Sequence, residues 1–326
     1  MNRLLVLMLA LTAFAAFLVG CPSPTPEQTP TTGGVGETSL PENDAALPPT
    51  SDDTSADVPT DLTGELVVAV PCGVAMAYQK IRDIVREANP DLKFVDHVKN
   101  IAPMVREMLA GKGTVDVFLS LGDKEVERLV AQDKVDGDPV PFMRQGMLLA
   151  VQLDNPLGIE SLEDLARDDV KTIAVCDAKL SIGFYGQKAL ESVGVWDELV
   201  AADKIVRPDQ PIKAKNLVIG KQADAAFVYA ACADETWQDK AKELSIAGKA
   251  DVVMAIPEDL YGGMNAVAVV AKSANNLESA KKFVQFLTTP AAQEAVSEAG
   301  YGRVDEESAQ ADEVALAEDC DDNIGG

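Results

Sequence analysis

Aromatic side chains make up only 5% of this 326-residue chain, histidine occurs once, and 28 basic residues face 53 acidic ones. The shortage of Lys and Arg argues against a nucleic-acid partner, because phosphate neutralisation needs a clustered basic footprint. A single histidine, His97, provides no His pair for a metal-binding helix, and no phosphate-loop sequence occurs. Ser120 lacks the glycine flanks of a nucleophile elbow. Long hydrophobic runs are also scarce. The longest, Leu4 to Val19, falls short of the about 20 apolar residues that span a bilayer. What is present, 47% hydrophobic and 25% charged residues, suits a soluble protein of about two domains that folds without cysteine staples. The expected partner is a small molecule or a protein.

The net charge of −25 is concentrated at the ends. Between Pro22 and Leu62 there are eight acidic residues and no Lys or Arg, and after Arg303 there are nine more, again with no basic residue. Such self-repelling segments read as solvated extensions. A basic start, an apolar stretch and small residues before Cys21 make residues 1–20 a secretory signal. The ending Leu18-Val19-Gly20-Cys21 resembles the lipobox of bacterial lipoproteins, which implies cleavage before Cys21 and lipidation of that residue. Residues 21–62, with eight prolines from Pro22 to Pro59 and no aromatic residue, read as a disordered linker reaching roughly 35 Å. Residues 305–326 read as a disordered acidic tail.

The middle alternates strand and helix signals. Glu65 to Val70 is a β-branched run, followed by Pro71-Cys72-Gly73 and a helical pattern ending at Asn89-Pro90. Lys93 to Val98 and Asp116 to Ser120 read as strands, with a helix between them from Pro103 to Leu109. After Arg144 the pattern restarts. Strands are expected at Gly146 to Val151, Lys171 to Val175 and Asp224 to Tyr229, and helices at Leu162 to Ala166, Gly183 to Val193 and a segment ending at Leu217 to Gly220. A returning strand from Asn265 to Ala271 precedes helices Leu277 to Leu287 and Pro290 to Ala299. The predicted class is α/β, with two lobes of mostly parallel sheet flanked by helices and a cleft between strand ends. The lobes are assigned to residues 63–144 plus 268–304, and to 145–267.

Several segments together resemble the molybdate/tungstate-binding family, the solute-binding components of ABC importers. They are Val67 to Ile84; Leu109-Ala110-Gly111 leading to Val115 through Ser120; Ser181 to Leu190 with Gly194 to Asp197; Gly220 to Tyr229; and Phe286-Leu287 to Pro290-Ala291-Ala292. The resemblance implies a type II periplasmic-binding fold with a hinge, no cofactor, no catalysis and a monomer. It further implies a small oxyanion guest, delivery to an ABC permease, and residence at the outer face of the cytoplasmic membrane through the lipid anchor. The implied anion ligands are amides and hydroxyls on four loops or helix starts and at one strand end. Cys72 and Gly73 form the first, in a Cys-Gly variant of the usual serine loop, where Gly73 equally suits a tight turn. Asn100 and Ile101 form the second, which lacks the usual hydroxyl and where Asn100 serves either as a donor or as a helix cap. In the second lobe stand Ser181 and Ile182, Ile212, and Tyr229, either a hydroxyl donor or a core aromatic. Arg207, Lys213 and Lys215 surround the Ile212 loop, either as charges that attract an anion or, as the simpler reading, as solvated surface charges.

In the family's topology the strands before Cys176 and Cys232 are neighbours, which implies a Cys176–Cys232 disulfide, with free buried thiols as the alternative. Convergence of Cys72, Cys176, Cys232 and Met76 on a soft metal or a thiophilic anion such as arsenite is a second reading, without CxxC support. A thiol enzyme needs a base beside Cys72, and His97 suits a structural place better. No resident metal is expected.

Overall fold

A computed structural model describes residues 58–233 and 246–305. The expected signal segment, Cys21, the linker up to residue 57, Cys320 and the acidic tail beyond 305 lie outside the described residues. Among those described, no helix is long and apolar enough to cross a membrane.

Among the described residues, ten strands form two five-stranded sheets with the same plan. In the first, β1 (Gly64–Pro71) pairs in parallel with β2 (Leu92–Lys99) and β3 (Val117–Leu119), while β10 (Asn265–Ala271) runs antiparallel between β3 and β4 (Val135–Arg144). In the second, β6 (Ile173–Ala174) pairs in parallel with β7 (Ile205–Val206) and β8 (Ala225–Tyr229), and β5 (Met147–Gln152) runs antiparallel between β8 and β9 (Ala250–Ala255). Each sheet therefore has one reversed strand in its fourth position. The chain passes between the sheets twice, from Arg144 to Met147 and again before Asn265. This is the two-lobed α/β arrangement expected from the strand-helix alternation.

The central strands are buried on both faces: β3, β8 and nearly all of β1 and β10 are inaccessible, as runs of Val, Ala, Leu and Phe should be when helices cover a sheet on each side. Helices α1 (Ala75–Ala88), α2 (Ile101–Leu109), α3 (Asp123–Val130), α7 (Leu277–Phe286) and α8 (Pro290–Glu298) accompany the first sheet. Helices α4 (Ser181–Ser192), α5 (Trp196–Ala201) and α6 (Pro211–Ile219) accompany the second. Asp116, buried just before β3, accepts N–H bonds from Val67 at 2.8 Å, Asn275 at 2.6 Å and Asn276 at 3.1 Å. One carboxylate thereby ties β1 to the turn leading into α7.

Five elements lack a counterpart in the sequence reading: α3, α5, β4, β7 and β9. Strand β4 contains Gly137, Pro139 and Pro141, residues that argue against a strand. It forms nonetheless because it lies at a sheet edge, where a missing ladder donor is tolerated, and its register against β10 is interrupted accordingly.

Candidate functional site

Strand ends and helix starts meet where the two sheets face each other. After β1 the chain makes a tight 3-10 turn, Cys72–Val74, before α1. Gly73 fits because a side chain there would come within 2.7 Å of Leu121. After β2, Asn100 occupies the N-cap position of α2, but its side chain makes no capping bond. On the facing lobe α6 starts at Pro211, whose missing N–H leaves that of Ile212 as the helix's first donor. Strand β8 ends at Tyr229.

These loops enclose a cavity of about 30 Å³ lined by Cys72, Gly73, Asn100, Ile101 and Leu121 from one lobe and Pro211, Ile212, Lys215, Val228 and Tyr229 from the other. Larger hollows, of about 190 Å³ beside Lys112 and Lys272 and of about 470 Å³ between α1 and α8, are each lined from the first lobe alone. Of these hollows among the described residues, the small one is shared equally by both lobes, so its position rather than its size singles it out. Its volume suits one compact guest and is too small for a sugar or peptide.

Six of the eight expected ligand residues line this cavity: Cys72, Gly73, Asn100, Ile101, Ile212 and Tyr229. Ser181 and Ile182 are absent from its lining. Ser181, the first residue of α4, is buried, and its donors are engaged elsewhere. Its N–H donates to Glu125 Oε1 at 3.1 Å and its hydroxyl donates to Glu125 Oε2.

Of the three cations around the Ile212 loop, Lys215 departs from the simpler reading as a solvated surface charge. It is only 3% exposed and lies in the cavity wall, whereas Lys213 is exposed and pairs with Asp209 at 2.5 Å. Arg207 stacks over Trp196 at 4.7 Å and donates to Gln187 Oε1 at 3.0 Å. Helical spacing held the signal: Lys215 follows Ile212 by three residues and so shares its face of α6. Lys215 also acts on Cys72. Burial pushes the Cys72 thiol up, and the ammonium works in the opposite direction, as do the N–H groups of Cys72 and Gly73.

The cysteines also depart from expectation. Cys72 and Cys176 are both free thiols, so the implied Cys176–Cys232 bridge is not formed at its Cys176 end; the Cys232 side chain lies outside the described residues. The parallel register explains this. Ala174 faces Ala226, which sets Cys176 level with Val228, while Cys232 is four residues farther on in the 3-10 turn Ala230–Ala233. Cys176 is deeply buried, its thiol pushed up to about 12 chiefly by desolvation. Neither Cys176 nor Met76 lines the cavity with Cys72, and among the described residues no cluster of three His, Cys, Asp or Glu side chains is placed to hold a metal ion.

The crossing segment is joined to this site. Buried Gln145 donates from Nε2 to the Gly73 carbonyl at 3.2 Å, and its N–H donates to Met264 at 2.8 Å. One residue, through its side chain and its backbone, therefore connects both passages between the lobes with the Cys72–Val74 turn.

Similar folds are known. The substrate-binding domain of a putative molybdenum ABC transporter from Clostridium difficile is 24% identical, with 74% of this chain and 99% of that one covered at a TM-score of 0.51. The periplasmic molybdate-binding protein of Azotobacter vinelandii is 20% identical, covering 73% and 98%, at a TM-score of 0.56. The sulfate-binding protein of Mycobacterium tuberculosis is 18% identical, covering 78% and 91%, at 0.58. At these identities the likeness establishes the type II periplasmic-binding fold. No curated protein matches the sequence. Residues 66–302 match the profile of the bacterial extracellular solute-binding proteins. With both lobes, the shared cavity and this match over most of its length, the chain belongs to that family, whose members are solute carriers that need no cofactor.

Proposed function

We propose that this protein captures a small oxyanion of the molybdate, tungstate or sulfate kind in the interlobe cavity and hands it to an ABC permease. The carrying observation is the composition of the cavity wall, in which three turn or helix starts and one buried ammonium, Lys215, converge from opposite lobes on a space of about 30 Å³. Each helix start contributes a positive dipole end and unpaired N–H groups, worth about 0.3–1 kcal/mol apiece toward an anion and up to about 2 in partly buried geometry. A hydrogen bond to a charged group adds about 1.5–3 kcal/mol. These donors and the full charge of Lys215 favour an anion, and the small volume favours a compact one. Proteins described as molybdate-binding and sulfate-binding use the same fold, which supports this guest class.

The chemistry is reversible binding. Closure of the lobes removes water and so strengthens each N–H contact, and the guest favours the closed population by its preference for it. A lipid on Cys21 would hold the carrier beside its permease and raise its effective concentration there.

The test is calorimetry on the purified full chain with molybdate, tungstate, sulfate, phosphate and arsenite, repeated with the Cys72→Ser variant. Oxyanion binding within a few-fold of wild type in that variant is the expected result. Absence of heat with every tetrahedral oxyanion would refute the proposal, and binding of arsenite alone, lost with Cys72, would replace it with a thiophilic guest.

A further inference from the structure

The first turns of α3 and α4 approach each other across the cleft, outside the cavity. Gly122, the N-cap of α3, lies so near α4 that a side chain on it would stand 2.2 Å from both Cβ and Oγ of Ser181. The next three residues all touch α4. Asp123 Oδ2 accepts from the Tyr185 hydroxyl at 2.8 Å; the Lys124 N–H donates to Ser181 Oγ at 3.0 Å while its ammonium lies 4.4 Å from the Phe184 ring; and Glu125 takes both donors of Ser181. Glu125 is completely buried.

The directions of these bonds are consistent with one another. The Ser181 hydroxyl receives from Lys124, so its own proton goes to Glu125 Oε2, and the neighbouring N–H goes to Oε1. A carboxylate thus sits on the positive end of a 12-residue helix belonging to the opposite lobe. Burying that carboxylate is unfavourable unless its donors are in place, and they are in place only while the lobes are together.

We propose that Glu125 is a positioning residue, an interlobe latch that occupies the α4 start in place of a solute oxygen and holds the two lobes together before any guest arrives. The guest contacts then fall to the 3-10 turn at Cys72 and the starts of α2 and α6. The latch relies on the two-lobed architecture and not on which anion binds. A protein already drawn toward closure holds its guest more tightly, because apparent affinity scales with the population of the binding-competent form.

Hydrogen exchange on the solute-free full chain tests the latch, comparing wild type with Glu125→Ala, Glu125→Gln and Ser181→Ala. In Glu125→Ala the amides of Lys124 and Ser181 should exchange at least about tenfold faster while β1 and β8 keep their protection. In Glu125→Gln, whose amide oxygen still accepts one bond, the acceleration should be smaller. Ser181→Ala should speed exchange at Lys124 and serves if Glu125→Ala does not fold. For any oxyanion that binds wild type, Glu125→Ala should weaken the affinity about tenfold. Wild-type exchange at both amides in the variants would overturn the latch, and so would loss of protection in β1 and β8 at the same time, which would make Glu125 a general structural residue. If no oxyanion binds wild type, the exchange result still decides the latch while the proposed guest class fails.

Discussion

Helices α4 and α6 both pack against β8, and both begin with N–H groups that have no partner within a regular α-helical ladder. Their surroundings differ. The α6 start opens on a cavity with a buried lysine one turn along the same helix, whereas the α4 start is filled by Glu125 from the other lobe. Similar helix starts thus meet different surroundings: in the proposed function one is kept for a guest, while the other is satisfied within the protein. A helix N-terminus identifies where an anion is favourable and leaves open whether the protein supplies that anion itself.

The contrast is most directly broken at Lys215. Replacing it with Met should weaken oxyanion binding roughly 30-fold or more, from the 2–5 kcal/mol that follow loss of one member of a buried charged pair, as measured by calorimetry. Undiminished affinity would mean that the α6 side owes nothing to charge. Next is Gly122→Val. Gly122 has extended backbone, φ −170°, that any residue adopts, so the substitution acts only through its collision with Ser181. At about 1–3 kcal/mol for overpacking, a loss of about tenfold in guest affinity is expected, with Gly122→Ala intermediate.

Smaller effects sharpen the cavity itself. Tyr229→Phe should cost about 1 kcal/mol, roughly fivefold in affinity, if the phenol donates to the guest. Asn100→Ala distinguishes ligand from cap. Because Asn100 makes no capping bond, the melting temperature should stay level, whereas loss of a true cap would cost about 1 kcal/mol and lower it by about 2–4 °C. A few-fold weaker affinity would accompany that unchanged melting point.

The smallest expected effect is on pH dependence. Burial holds the Glu125 carboxyl above its usual 4.5, with the two Ser181 bonds acting against it and the Asp123 charge adding to the rise. The folded state therefore keeps this proton more tightly than the unfolded chain does. The stability linked to it is fully present below about pH 4.5 and declines as pH rises toward the folded value. Melting curves of wild type and Glu125→Gln should diverge across that window, with wild type losing ground as pH increases. A pH-independent difference would leave Glu125 without a titration role in the latch.

Much of the architecture was legible. The β-branched run at Glu65 to Val70, the strand at Asp224 to Tyr229 and the loops after them lie where the residue pattern put them, and six of the ligand residues inferred from family resemblance share one cavity. Helix α3 carried a readable signal that the sequence reading passed over: Val126, Leu129 and Val130 repeat at helical spacing after acidic Asp123. With α3 missing, Glu125 had no place in the site.

By itself the sequence determined the alternation of strand and helix and the two repeated halves, because these depend on residues within a few places of one another, while the candidate ligand turns came from the family resemblance. Only the tertiary structure decided that Lys215 is buried, that Cys176 stays a thiol and that Ser181 answers to Glu125. Each of these depends on a partner or a covering layer brought from distant chain positions, 56 residues away in the case of Glu125 and Ser181, and local pattern carries no record of which distant group arrives first.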